Sequence, residues 1–297
     1  MNPGKGASAA LATPAAADAH AASGGVVSFP AATEEESQQH RAAREFAERL
    51  GARRRDAGAP VRTIFASDET VERPTLAQLL SGGSAGGGGR GGQLRVKLYL
   101  SLLWVCAKTP YDVARPARAW SALLGLPDPE NRGVRRVQQT FRELQDRHLV
   151  RLEDRGGFPT RVLVLGEKGD GRAYRPAPDA HSALLRKQAD EEVLREHRYF
   201  RVPSSLWTDG HIAKLGGPGL AMLLAVLSER RGQSEPGVWF SPARATARFG
   251  FAASTRSQGL AELRALGLLR TTIRTVSENG AYIDFARRRS VHEIVGL

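Results

Sequence analysis

A chain of 297 residues with 43 Lys/Arg against 31 Asp/Glu carries a formal charge of +12, which gives room for two domains of ordinary size and a bias toward polyanionic partners. Its single cysteine, Cys106, excludes an intramolecular disulfide and any Cys-based zinc site. The longest apolar stretch, Leu98 to Ala107, is about half of what a membrane-spanning helix needs, and no basic-then-apolar signal opens the chain. No membrane partner is therefore expected, and the expected compartment is the cytoplasm.

Residues 1–39 are rich in Ala, Gly, Ser and Pro, a composition that buries too little to offset its ordering entropy. Phe46 and Leu50, four apart among charges, predict a short amphipathic helix near 41–55. The glycine-rich run from Ser81 to Gly92 reads as a flexible linker. A phosphate-cradling loop would need Lys-Ser or Lys-Thr after the last glycine and a strand before it, and neither is present. Residues 1–92 are thus expected to form a disordered, low-complexity arm carrying one short helix.

Leu94 to Ala107 predicts a buried helix, apolar on most faces. Pro116 marks the first turn of a second helix ending near Gly125. Asn131 is expected to cap a third helix, in which Val134, Val137, Phe141 and Leu144 form one inward stripe. The opposite face carries Arg132, Arg135, Arg136, Gln138, Gln139 and Arg142, with no acidic residue between Arg132 and Arg142; an ordinary solvated face usually mixes signs. Leu149 to Glu153 and Thr160 to Leu165 read as a hairpin around a turn containing Arg155, Gly156 and Gly157.

Residues 172–197 read as a linker with a helix. A second long apolar helix is expected from Gly219 to Arg231. Ser241 is expected to cap the next helix, with Pro242 at its first position, and Ser254 or Thr255 to start the one after it. A hairpin, Leu268 to Val276 and Ala281 to Phe285 around Asn279-Gly280, ends the pattern, with Ile273, Ile283 and Phe285 as its apolar face.

The chain repeats itself. Pro116-Ala117-Arg118-Ala119 recurs as Pro242-Ala243-Arg244-Ala245, Leu124-Gly125-Leu126 is echoed by Phe249-Gly250-Phe251, and Phe141, Leu144 and Leu149-Val150 by Leu260, Leu263 and Leu268-Leu269. Self-similarity of this kind sets architecture. The surplus charge follows the copies: 16 Lys/Arg against 9 Asp/Glu from Gln93 to Arg175, and 14 against 7 from Arg198 to Leu297.

Three helices followed by a hairpin is the order of a winged helix. The run Ser241-Pro242 through Ala245, Phe249-Gly250-Phe251, Thr255-Arg256, Leu260, Leu263 and Leu266 to Leu269 resembles the helix–turn–helix core of bacterial winged-helix regulators, and the tandem arrangement is similar to plasmid replication initiators. The resemblance implies a mainly α fold with small β wings: two tandem winged-helix domains, 93–171 and 198–297, joined by the 172–197 linker and preceded by the disordered arm. It also implies sequence-specific binding of double-stranded DNA by a nucleoid-associated cytoplasmic protein, in transcription regulation or plasmid replication initiation. Base contacts fall to Arg135, Arg136 and Gln139, phosphate contacts to Arg132 and Arg142, with Gln138 beside them and Arg155 at a wing tip aimed at the minor groove. The second module offers Ser254, Thr255, Arg256 and Gln258. Arg256 occupies the position that Val137 holds in the first copy, normally apolar and inward, so base reading by the second module is less favoured.

The competing class is a protein–protein interaction scaffold built on winged helices. An enzyme is not expected: the seven histidines show no metal-ligand spacing and no serine lies in a nucleophile-elbow sequence. No metal and no cofactor are expected, and a homodimer is compatible with the sequence.

Overall fold

The computed structural model describes residues 34–68, 70–81, 90–230, 237–239, 241–276 and 287–297, which belong to one compact unit. Helices α1 (Glu34–Glu48) and α2 (Ala52–Ala57) lead into strand β1 (Ala59–Arg62), then α3 (Thr63–Ala66), α4 (Thr75–Leu80) and the long α5 (Arg90–Val105). Next come β2 (Asp112–Ala114), α6 (Ala117–Leu123), α7 (Arg132–Asp146) and the hairpin β3 (Val150–Glu153) and β4 (Arg161–Val164). Helices α8 (Ala177–Arg186) and α9 (Glu191–Glu196) connect to β5 (Tyr199–Val202), α10 (Ser205–Thr208), α11 (His211–Lys214) and α12 (Gly217–Arg230). Helices α13 (Pro242–Phe249) and α14 (Ala253–Ala265) and the hairpin β6 (Leu269–Val276) and β7 (Arg287–Ile294) complete the chain. The described chain is about half helical, with small antiparallel sheets.

The same succession of elements runs twice. From β1 and again from β5 the chain forms a strand, two short helices, a long apolar helix, two further helices and a hairpin. In the first copy β2 joins the hairpin to give a sheet of order β2-β4-β3. In the second copy a single bridge from Val238 to His292 takes the place of β2. The long helices α5 and α12 are mostly apolar and lie inside, as helices without a broad polar face must, with Arg95, Lys97 and Ser101 of α5 buried among the apolar residues.

The two copies share one core. Strands β1 and β5 pair antiparallel, Ala59 with Val202 and Arg62 with Tyr199. Each end of one strand meets the opposite end of its counterpart, the reciprocal pairing of a local two-fold axis. Trp104 of α5 stacks on Trp207 of α10 with ring centroids 4.7 Å apart. Trp207 Nε1 donates to Ser101 Oγ at 2.8 Å and Trp104 Nε1 to Ser204 Oγ at 3.0 Å, so both buried indoles have partners, as buried polar groups require.

Several expectations from the sequence change here. The stretch 34–81 of the expected disordered arm forms helices and a strand that pack into the core; Glu69 within it lies outside the described residues. Phe46 lies 4.8 Å from Trp120 between ring centroids, Phe65 lies 5.5 Å from Tyr99, and the buried Gln39 amide donates to the carbonyls of Leu123 and Trp207. Domain boundaries at 93 and 198 therefore cut through shared structure, because β1 belongs to the first copy and its strand partner to the second. The linker 172–197 holds two helices rather than one. Gly91 and Gly92 sit inside α5, and a side chain at Gly92 would collide with the Leu80 backbone; glycine there permits the α4–α5 approach.

The helix caps differ too. Asn131 sits at the N-cap of α7 without making a side-chain cap bond. The cap is Asp128, whose carboxylate accepts the Arg132 N–H at 3.2 Å and the Asn131 N–H at 3.3 Å. Helix α14 starts at Ala253 with no side-chain cap, so Ser254 and Thr255 lie within it. In the second hairpin the partner of β6 is 287–294, so the Arg287-Arg288-Arg289 triplet opens β7. The expected second strand at 281–285, with Ile283, Phe285 and the Asn279-Gly280 turn, lies outside the described residues. Ile273 is not part of a buried face but 66% exposed.

Candidate nucleic-acid interface

Helix α7 is sorted sharply by its sequence. Val137, Thr140, Phe141 and Leu144 are buried, and Trp120 of α6 meets Phe141 edge-on at 6.0 Å. A side chain at Gly133 would collide with Ser121 Oγ, so α6 and α7 cross closely. This packing leaves Arg132, Arg135, Arg136, Gln138, Gln139 and Arg142 exposed together. The helix has 15 residues, about 22 Å at 1.5 Å per residue, and a helix of about 10–12 Å across matches the roughly 12 Å width of a major groove. Among the described residues no carboxylate forms an ion pair with these four arginines. Gln139 is partly engaged, its Nε2 donating to Glu143 Oε1 at 3.3 Å.

Glu143 bounds this face and fixes it to the body. It accepts from Arg95 of α5 at 2.8 Å, and the Arg95 guanidinium also donates to the carbonyls of Leu79 and Ser81. The matching position in the second copy, 119 residues on, is Glu262 of α14. Its carboxylate accepts the N–H groups of Gly216 and Gly219 (3.0 Å for the latter) at the start of α12. Both carboxylates thus anchor the last helix of a copy to its long apolar helix, and in the second copy the anchor also serves the positive end of a helix. Nothing in the local sequence separates either glutamate from an ordinary surface charge; their common offset is the one available signal.

Between the two anchors Lys97 is buried on α5, its ammonium donating to the Ala213 carbonyl at 2.9 Å. Burial lowers its pKa to about 8, with Glu262 pulling it up and Arg136 pushing it down.

The corresponding face of α14 carries fewer charged groups. Ser254 and Gln258 are exposed and Thr255 is half-buried. The Ser257 hydroxyl donates within its own helix, to Ala253 and Ser254 carbonyls. Arg256 is half-buried, and its Nε is enclosed without a hydrogen-bond partner. The structure therefore keeps Arg256 close to the inward position its repeat partner Val137 holds. Its charge, with that of Arg264, acts against protonation of His292, whose pKa is lowered first by burial.

The hairpins flank these helices. In the first, Arg161 pairs with Asp112 and, at 2.9 Å, with Glu153, tying the three strands together. Leu152 N–H donates to Gln145 Oε1 at 2.8 Å, joining the hairpin to α7. At the tip Arg155 is exposed and its guanidinium carbon lies 5.7 Å from the centre of the Phe158 ring. In the second hairpin Arg270 pairs with Glu293 at 2.8 Å and Arg289 lies 4.9 Å over Trp239.

No group of three or more His, Cys, Asp or Glu side chains that could hold a metal occurs among the described residues, and no described helix is long and apolar enough to cross a membrane. A cavity of about 330 Å³ is lined by Asp68, Glu192, Arg195, Arg198, Glu229 and Arg248, with ion pairing across its wall between Arg248 and Glu229. Comparison of the chain with family models, curated proteins and solved structures gives no match.

Proposed function

We propose that this protein binds double-stranded DNA sequence-specifically through two winged-helix modules, as a transcription regulator or a plasmid replication initiator. The observation that carries the reading is the outer face of α7: four exposed arginines and two glutamines on one rigid helix, without an acidic residue among them. Arginine forks match the O6 and N7 atoms of guanine, and glutamine matches adenine, each good pair being worth about 1–3 kcal/mol of discrimination. Arg135, Arg136 and Gln139 are assigned to bases, and Arg132 and Arg142 to phosphates. Gln139 exchanges its bond to Glu143 for one to a base edge on binding.

The first module is the reader and the second a positioning unit. The serines, threonine and half-buried Arg256 of α14 offer fewer forked donors, while Arg270, Arg274 and Arg288 lie on a hairpin suited to backbone contact. The shared core and the two-fold pairing of β1 with β5 make the chain act as a preassembled pair, so neither module has to recruit a partner to present two surfaces.

The test is binding of a randomised duplex pool by the full chain and by Arg135→Glu/Arg136→Glu. The charge reversal is expected to abolish enrichment of any sequence. A control with the same change in net charge, Arg186→Glu/Lys187→Glu on the exposed end of α8, is expected to enrich the same sequence as wild type. Equal enrichment by both variants would overturn the assignment.

A further inference from the structure

Phe158 is 69% exposed, the only aromatic side chain among the strongly exposed large hydrophobics of the described residues. The turn it occupies, residues 154–158, is exposed throughout, so no packing within the fold buries the ring. A Cβ added at Gly156 or Gly157 would meet no atom within 4 Å, and both glycines have positive φ, 33° and 75°. The tip is therefore a free-standing projection whose backbone path requires glycine.

Three further facts give this ring a direction. Arg155 lies over it at 5.7 Å, a cation–π pair that keeps cation and ring together. The hairpin is held by the Arg161 pairs to Asp112 and Glu153, so the tip stands on a braced stem. The Leu152–Gln145 bond and the backbone bond from Leu149 N–H to the Leu144 carbonyl fix that stem to α7. A tip rigidly coupled to a helix in the major groove comes down on neighbouring DNA, where its partner is a groove of high negative potential lined by stacked bases.

We propose that the Arg155–Phe158 tip is a minor-groove wedge: Phe158 inserts between two adjacent base pairs and unstacks them, while Arg155 occupies the groove beside it, so that the bound duplex is kinked. Apolar side chains used in this way kink DNA by roughly 20–90° toward the major groove, preferentially at flexible pyrimidine–purine steps. The proposal rests on the DNA-binding reading above, and extends it by assigning the protein a deformation activity and Phe158 a role in choosing sequence at a step no hydrogen bond reads.

The experiment uses the full chain and a duplex of about three helical turns, roughly 30 base pairs, recovered from the randomised pool and labelled with a donor and an acceptor dye at its ends. Wild type is expected to raise energy transfer on binding. Phe158→Ala is expected to keep the same enriched core sequence and thermal stability but to lose most of that rise, with affinity down about tenfold, the equivalent of 1.4 kcal/mol. Phe158→Leu, still an apolar wedge, is expected to retain the bend. A straight wild-type complex, or a Phe158→Ala complex bent as much as wild type, would overturn the wedge and leave DNA binding standing. Failure of wild type to enrich any duplex would overturn both.

Discussion

Removing the Glu262 carboxylate tests how α14 is held against the start of α12. Glu262→Ala deletes the acceptor for two N–H groups at the start of α12, those of Gly216 and Gly219. Gly219 is buried and Gly216 half-buried, so water can replace only part of what is lost. A hydrogen bond to a charged group contributes about 1.5–3 kcal/mol, and an unpaired buried donor costs about 1–3 kcal/mol. With one donor still reachable by water, the expected destabilisation is about 2–3 kcal/mol. A unit of this size shifts its Tm by roughly 2–4 °C per kcal/mol, which gives a fall of about 5–10 °C in a thermal melt followed by circular dichroism. The matched variant Glu143→Ala leaves the buried Arg95 guanidinium without its carboxylate, though with its bonds to the Leu79 and Ser81 carbonyls, so it is expected to destabilise as well. An unchanged melt for Glu262→Ala would refute the claim that the second anchor serves a helix terminus.

Gly133→Ala places a methyl group against Ser121 Oγ at the α6–α7 crossing and is expected to cost about 1–3 kcal/mol in a urea titration; Gly51→Ala, with open space around it, is expected to leave the midpoint unchanged or raised. Lys97 has a folded pKa of about 8 against an ordinary value of 10.5, so between those values the unfolded chain binds the extra proton and stability rises with pH. Lys97→Met lacks that linkage: relative to wild type it is expected to be most favoured below pH 8, with its advantage shrinking by on the order of 3 kcal/mol as pH rises through 10.5. A wild-type to Lys97→Met difference that stays constant from about pH 7 to 10.5 would count against the buried ammonium. The Cys106 thiol is buried and its pKa is pushed up by burial, so a thiol reagent is expected to label it only at the rate of unfolding; rapid labelling of the native chain would contradict that.

The parts of the molecule legible in the sequence are those whose signal is local. The 3-4-3 spacing of Val134, Val137, Phe141 and Leu144 marks α7 and hence its exposed arginines, and the prolines at 116 and 242 mark the start of a helix in each copy. What escapes depends on partners far along the chain. Phe46, Val61, Phe65 and Leu79 look sparse among Ala, Arg and Gly, yet all are buried, because Trp120, β5 and α5 supply the rest of their surroundings. Residue preference assigns the cap of α7 to Asn131, whereas the positive φ of Asp128 turns its carboxylate onto the helix instead. Ile273 alternates like an inward strand residue but lies on a part of the hairpin where it stays exposed. Phe158 reads as part of a turn and declares itself only once the space around it is known.

The most direct measurement of the central claim is the affinity for a selected duplex as a function of salt. About six phosphate contacts shared by the two basic modules predict a slope of log K against log salt near −5, a loss of about a thousandfold between 50 and 200 mM, with Arg132→Ala/Arg142→Ala reducing the slope by about two units. Affinity that stays level across that range, or a slope untouched by removing both arginines, would contradict the assignment of this face to DNA.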